Sequence, residues 1–256
     1  MAQIKAVFFD QDGVIIDTER DGHRVAFNQT FKDFGYDFEW DAAYYHELLQ
    51  IAGGKERMKH HLDTKGFGVD INAEEVDDLI KRMHKHKTAA FIKLIESGEL
   101  PLRPGVKRLM KEINDAGLIL GICTTSNEQA ANAVVNGMLA DIKVDFVLAG
   151  DIVSNKKPDP EIYDLALKKS GLKQEECLVI EDSHNGVLAA RTAGMFIVAT
   201  TNLYTEKEDL SAANIIVTCL GDEDGEKGII KMGGEGLDYD GVLHLGQLIN
   251  YFQNVS

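Results

Sequence analysis

Five short apolar runs punctuate the chain: Ile4–Phe9, Leu118–Cys123, Val144–Leu148, Cys177–Ile180 and Phe196–Ala199. Each is too short for a helix and is bounded by turn residues, which predicts buried strands. Between them lie stretches of helical period, roughly 105–116, 128–138, 159–170 and 185–193. Several have readable ends. Pro104-Gly105 opens one, with Gly117 just past it, and Pro158 and Pro160 open another, with Gly171 past it. Strands alternating with helices predict parallel βαβ units, hence an α/β protein with a doubly wound, Rossmann-like parallel sheet.

Residues from about 18 to 96 break that alternation. No buried strand is evident there, whereas Arg24–Phe34, Ala43–Leu49, Glu56–Lys65 and Glu74–Leu94 all have helical patterning. The expected organisation is a core of residues 1–17 and 98–256 with a helical insert, 18–97, that returns through Ser97–Pro104. The Gly- and acid-rich stretch Gly221–Gly241 reads as a long loop, with room for a short hairpin, before a last helix around Leu245–Phe252.

Composition changes this picture little. The 256 residues include 44% hydrophobic and 27% charged residues, which excludes wholesale disorder and fibrous architectures. The segment MAQIKAVFFD has no apolar signal core and no transit-like region, and reads as the first strand. Cys123, Cys177 and Cys219 form no CxxC pair, so a reducing compartment is expected; a cytoplasmic protein fits, and so does a mature plastid one. The net charge of −15 argues against nucleic acid and anionic membrane as partners. A monomer acting on a small molecule is expected. Charge is uneven, however: residues 53–95 hold nine Lys/Arg against seven Asp/Glu. A weakly basic insert beside an acidic core could focus an anion.

The candidate chemistry lies at the strand ends. Asp10 and Asp12 follow the first run, with Gly13 next, and alternation lets both carboxylates face one side. Two such carboxylates call for a shared proton or a cation, and hard oxygen ligands suit Mg²⁺. Thr124, Thr125 and Ser126 follow the second run, Lys157 the third, and Glu181-Asp182 the fourth. In a parallel sheet these ends share one edge, where α/β proteins bind ligands.

The series DQDGV at Asp10, Thr124, Lys157 and Glu181-Asp182 resembles the haloacid dehalogenase superfamily across about residues 4–200. That resemblance implies Asp10 as the nucleophile that forms an aspartyl-phosphate and Asp12 as general acid/base. It implies Thr124 and Lys157 as phosphoryl-binding catalytic residues. It also implies Mg²⁺ held by Asp10, the Asp12 carbonyl and Asp182, with Glu181 nearby or acting through water. The acid at Asp12 favours phosphate over halide chemistry.

Within the insert, HRVAFN, WDAAYYHELL and GGKERM resemble the CbbY-type sugar-phosphate phosphatases more than β-phosphoglucomutase. That implies a pentulose bisphosphate such as xylulose 1,5-bisphosphate as substrate. It implies contacts from Glu19, His23, Lys55 and Arg57; Gly54 and Thr125 join the substrate-binding candidates on their own chemistry, as amide and hydroxyl donors. The amides of a Gly-Gly turn opening a helix also suit an anion. A phosphosugar mutase and a non-catalytic phosphosugar sensor are the competing expectations. His60, His61, His84 and His86 are expected on exposed helix faces rather than around zinc, and Cys123 is expected as a buried strand-end thiol.

Overall fold

A computed structural model describes residues 3–49, 51, 53–98, 100–126 and 128–255; of the expected return linker, Glu99 lies outside these. The chain divides into two compact units, Met1–Asp17 with Pro101–Ser256, and Thr18–Leu100. The second boundary thus falls after Leu100 rather than after residue 97.

The larger unit is built on a seven-stranded sheet. Its strands are β1 (Ala6–Phe9), β2 (Ile119–Cys123), β3 (Phe146–Leu148), β4 (Cys177–Glu181), β5 (Phe196–Thr200), β6 (Ile215–Val217) and β7 (Ile230–Met232). The spatial order is β3-β2-β1-β4-β5-β6-β7. All pairings are parallel except β6 with β7. Sheets covered on both faces demand unbroken apolar strands, and β1, AVFF, is buried at every position. The two last strands are not separable from loop in the sequence, since each has three residues, with Lys231 inside β7, and so short a run gives no periodic signal.

In the smaller unit the chain makes a π-helical turn at Thr18–His23, then α1 (Arg24–Asp33), α2 (Ala42–Leu48), α3 (Gly54–Lys65) and α4 (Val76–Glu96). The larger unit continues with α5 (Val106–Asp115), α6 (Glu128–Met138), α7 (Glu161–Ser170), α8 (His184–Thr192) and α9 (Leu245–Val255). Helices α7 and α8 pack on the sheet face formed by Ala6, Phe8, Val179 and Ile197. Helix α5 packs against β2 and α9. Gly171 ends α7 at φ 70°, a left-handed conformation that a side chain would resist. Among the described residues, no helix is long and apolar enough to cross a membrane.

The insert has its own core. Phe27, Phe31, Trp40 and Tyr45 are all buried, and Phe27 packs on the other three rings with centroids 4.7–6.2 Å apart. One expectation is corrected here. His61 is buried rather than exposed, because its Nδ1 accepts from Trp40 Nε1 at 3.1 Å and lies 3.0 Å from the Tyr44 hydroxyl. Burial pushes its pKa down to about 4, so it serves the core as a neutral acceptor. His84 and His86 are half-buried, and only His60 of the four is exposed.

Candidate active site

The register of the central strands explains why distant residues meet. Phe9 pairs with Ile122 on one side and Ile180 on the other. Asp10, Cys123 and Glu181 therefore follow at one level, at the carboxyl edge of the sheet. The Asp10 amide donates to the Ile180 carbonyl at 2.9 Å, and the Thr124 amide donates to Leu148 at 2.9 Å.

Lys157 occupies the centre. Its ammonium donates to Asp10 Oδ1 at 2.6 Å, Glu181 Oε1 at 2.6 Å and the Cys123 carbonyl at 3.0 Å. Its side chain is 7% exposed, against 11% for Asp10 and 0% for Glu181. Those two buried carboxylates hold the Lys157 pKa well above its ordinary value despite burial. Cys123 is the buried strand-end thiol expected; burial pushes its pKa up, which leaves it inert.

Glu181 is engaged at both oxygens. Oε1 accepts from Lys157 and from the Tyr163 hydroxyl at 2.8 Å, and Oε2 accepts from the amide of Asp182 at 2.9 Å. A Cβ added at Gly186 would lie 1.9 Å from Oε1, so helix α8 closes on this carboxylate. Glu181 is thereby equipped to orient Lys157.

Asp10, Glu181 and Asp182 offer carboxylate oxygens within 4.8 Å of one another. Burial raises the Asp10 pKa to about 8, partly offset by Lys157 and reinforced by Glu181 and Asp12. Asp182 is also pushed well above the carboxylate range, first by burial and then by Glu181 and Asp10. Such a set carries more negative charge than Lys157 neutralises, and its hard oxygens suit a divalent cation. The backbone makes room for the cluster at Gly13. Its φ is +84°, and a Cβ there would stand 2.0 Å from Asp182 Oδ2.

The raised Asp10 links stability to pH. Folded, it releases its proton near pH 8; its ordinary value is 3.8. The folded state therefore holds an extra proton between these limits. The stability this contributes is complete below about pH 4 and lost as pH rises through about 8. The metal-free protein is expected to melt at a lower temperature at about pH 9 than at about pH 5, with a divalent cation restoring more at the higher pH. Thermal denaturation across pH checks this, and a flat metal-free profile would contradict it.

Asp12 is half-buried and faces the β2 loop. Its Oδ2 accepts from Ser126 Oγ and from Thr124 Oγ1, the latter at 3.5 Å. Thr125 lines a neighbouring cleft with Glu128 and Lys156.

The insert gathers a second cluster of its own. The π-helical turn carries Glu19 and His23 four residues apart, on one face. Glu19 Oε2 accepts from the Tyr45 hydroxyl at 2.6 Å, to which Arg57 Nη1 donates at 3.4 Å. His23 Nδ1 lies 3.0 Å from Lys87 Nζ, and its ring covers Phe91 at 3.9 Å. Burial, with Lys87 and Arg57 adding to it, holds the His23 pKa down to about 3, so this ring is a neutral acceptor. Lys87 is itself buried and pushed down to about 8. Gly54 begins α3 beneath His84 and Phe27, and Lys55 is exposed. Lys87 and Tyr45 were not singled out from the sequence. Lys87 sits in KRMHKHK, where no local signal separates an inward lysine from solvated ones.

Residues 4–194 match the haloacid dehalogenase-like hydrolase family. The chain is 42% identical over 226 residues to a CBBY-like protein of Arabidopsis thaliana, covering 87% of this chain and 71% of that one. It is 36% identical to CbbY from Rhodobacter sphaeroides, solved in complex with xylulose 1,5-bisphosphate. That structure overlays with a TM-score of 0.63 over 83% of this chain and 93% of the other. A β-phosphoglucomutase from Clostridium difficile shares the fold, with a TM-score of 0.62 at 24% identity over 98% of both chains. With the acidic strand ends, the buried lysine and these likenesses in agreement, the chain belongs to the haloacid dehalogenase-like hydrolases, in their CbbY-like group.

Proposed function

We propose that the protein is a Mg²⁺-dependent phosphatase that removes one phosphate from a pentulose bisphosphate, such as xylulose 1,5-bisphosphate, through an aspartyl-phosphate on Asp10. The observation that carries this reading is the Lys157 ammonium held between Asp10 and Glu181 at 2.6 Å from each, in a cluster whose carboxylates include Asp182. The complex of Rhodobacter sphaeroides CbbY with xylulose 1,5-bisphosphate supports the substrate class.

In the first half-reaction an Asp10 carboxylate oxygen forms a bond to phosphorus as the bond to the sugar oxygen breaks. Asp12 gives its proton to that leaving oxygen. In the second half-reaction Asp12 takes a proton from water, whose oxygen attacks the phosphorus of the acyl phosphate, and inorganic phosphate leaves with Asp10 regenerated. Lys157 and Thr124 offset charge on the phosphoryl oxygens, and Ser126 steadies Asp12 between its two tasks. Asp10, Asp182 and the Asp12 carbonyl would hold Mg²⁺, which when bound supplies positive charge to the same oxygens. From the insert, Glu19, His23, Gly54, Lys55 and Arg57, with Thr125 from the core, would recognise the sugar and its second phosphate.

The test is inorganic phosphate release from a panel of sugar mono- and bisphosphates. Turnover of the pentulose bisphosphate is expected, with loss in EDTA and recovery on adding Mg²⁺. Turnover of monophosphates alone would overturn the substrate. A second reading, a phosphosugar mutase, draws on the shared fold with β-phosphoglucomutase. Isomerisation without net phosphate release would select it, and tight binding without turnover would select a sensor.

A further inference from the structure

Arg103 ties three separate segments of the larger unit together. It follows Leu102, which bridges Ile16, and its own amide donates to the Ile15 carbonyl at 2.9 Å. Its Nη1 donates to the Gly13 carbonyl and to Thr200 Oγ1 at 3.0 Å. Its Nη2 donates to the carbonyls of Thr201 at 2.7 Å and Thr218 at 3.2 Å. One planar group thus links the loop after β1, the end of β5 and the segment after β6.

Two of those segments bear on Asp182. The Gly13 backbone lies directly against it, as the position of a hypothetical Cβ 2.0 Å from Oδ2 requires. Asn202, next to Thr201, donates through Nδ2 to the same oxygen at 2.7 Å. The other end of that amide is fixed too, since Asn202 Oδ1 accepts from the amides of Tyr204 at 2.8 Å and Thr205 at 3.0 Å.

We infer that Arg103 and Asn202 are positioning residues for the cation centre. Arg103 sets the Gly13 backbone and the 200–202 loop, and Asn202 sets the Asp182 carboxylate. This rests on the reading of Asp10 and Asp182 as cation ligands. Partners that orient ligating carboxylates tune the ion's affinity without touching it. The role needs a fork of donors with fixed directions, which a lysine cannot reproduce. A purely architectural role would instead lower the melting temperature and leave ion affinity unchanged.

The experiment is titration of the substrate-free protein with Mn²⁺, reading free ion by electron paramagnetic resonance. Arg103→Met and Asn202→Ala are expected to weaken binding by about 10- to 100-fold, with Arg103→Lys intermediate. Far-UV circular dichroism checks that each variant is folded, and Asn202→Ala decides the matter alone should Arg103→Met not fold. Wild-type affinity in folded variants would overturn the inference. Absence of saturable Mn²⁺ binding in the wild type would overturn the cation reading itself.

Discussion

Asp10→Asn is expected to lower phosphate release by on the order of 10⁴-fold or more, because an amide oxygen is a poor nucleophile and its chemistry cannot be shared out to neighbours. The same change is expected to leave the fold intact. The Asn oxygen can still accept from Lys157, and one negative charge disappears from a buried position beside Glu181 and Asp12, whose repulsion adds to burial in raising Asp10. Activity and stability should therefore move apart. The metal-free variant should melt no lower than the wild type, and higher above about pH 8, where Asp10 would otherwise be ionised. Phosphate release and thermal melts measure the two effects. Activity within tenfold of wild type would remove Asp10 as the nucleophile.

Lys157→Met is expected to fail on both counts. It leaves Glu181, with no exposed surface, and Asp10, 11% exposed, without the ammonium that bridges them. Stranding buried charge in this way costs about 3–5 kcal/mol. Loss of a cation aimed at the phosphoryl group should reduce turnover by about 10²- to 10³-fold. Adding Glu181→Gln to Lys157→Met separates these effects. It removes the stranded carboxylate while keeping an oxygen for the Tyr163 hydroxyl, so part of the stability should return and none of the activity. Equal melting temperatures for Lys157→Met and wild type in EDTA would show that the ammonium is not what neutralises this cluster.

The strands that build the site were legible because burial on both faces leaves no polar residue inside them, as in AVFF and LVIE up to its final glutamate. Parallel pairing then brought Asp10, Thr124, Lys157 and Glu181 into one arrangement, since matched register places strand ends at one level. The insert's helices were legible from 3.6-residue patterning, with the predicted Glu56 start set by structure at Gly54, where Gly53 serves as the uncapped entry. Other residues carried no readable signal. Tyr163 is one apolar position among several on an amphipathic helix, and only tertiary packing aims its hydroxyl at Glu181. Arg103 and Asn202 stand in loops whose partners come from other segments. His61 read as one of a polar pair, yet Trp40 supplies the donor that makes its burial tolerable.

The margins of the sheet bear on how the protein behaves when crowded. Its outermost strands, β3 and β7, are three residues each, and β7 carries a lysine, Lys231, at its midpoint. A neighbouring molecule offering an extended segment would find only a few unpaired amides and carbonyls to join, beside a charge it would have to desolvate. The more apolar runs that would make better templates for fibrils, β1 and the part of β4 before Glu181, are instead enclosed at the middle of the array, so a densely packed solution of folded chains is guarded against growth by strand addition.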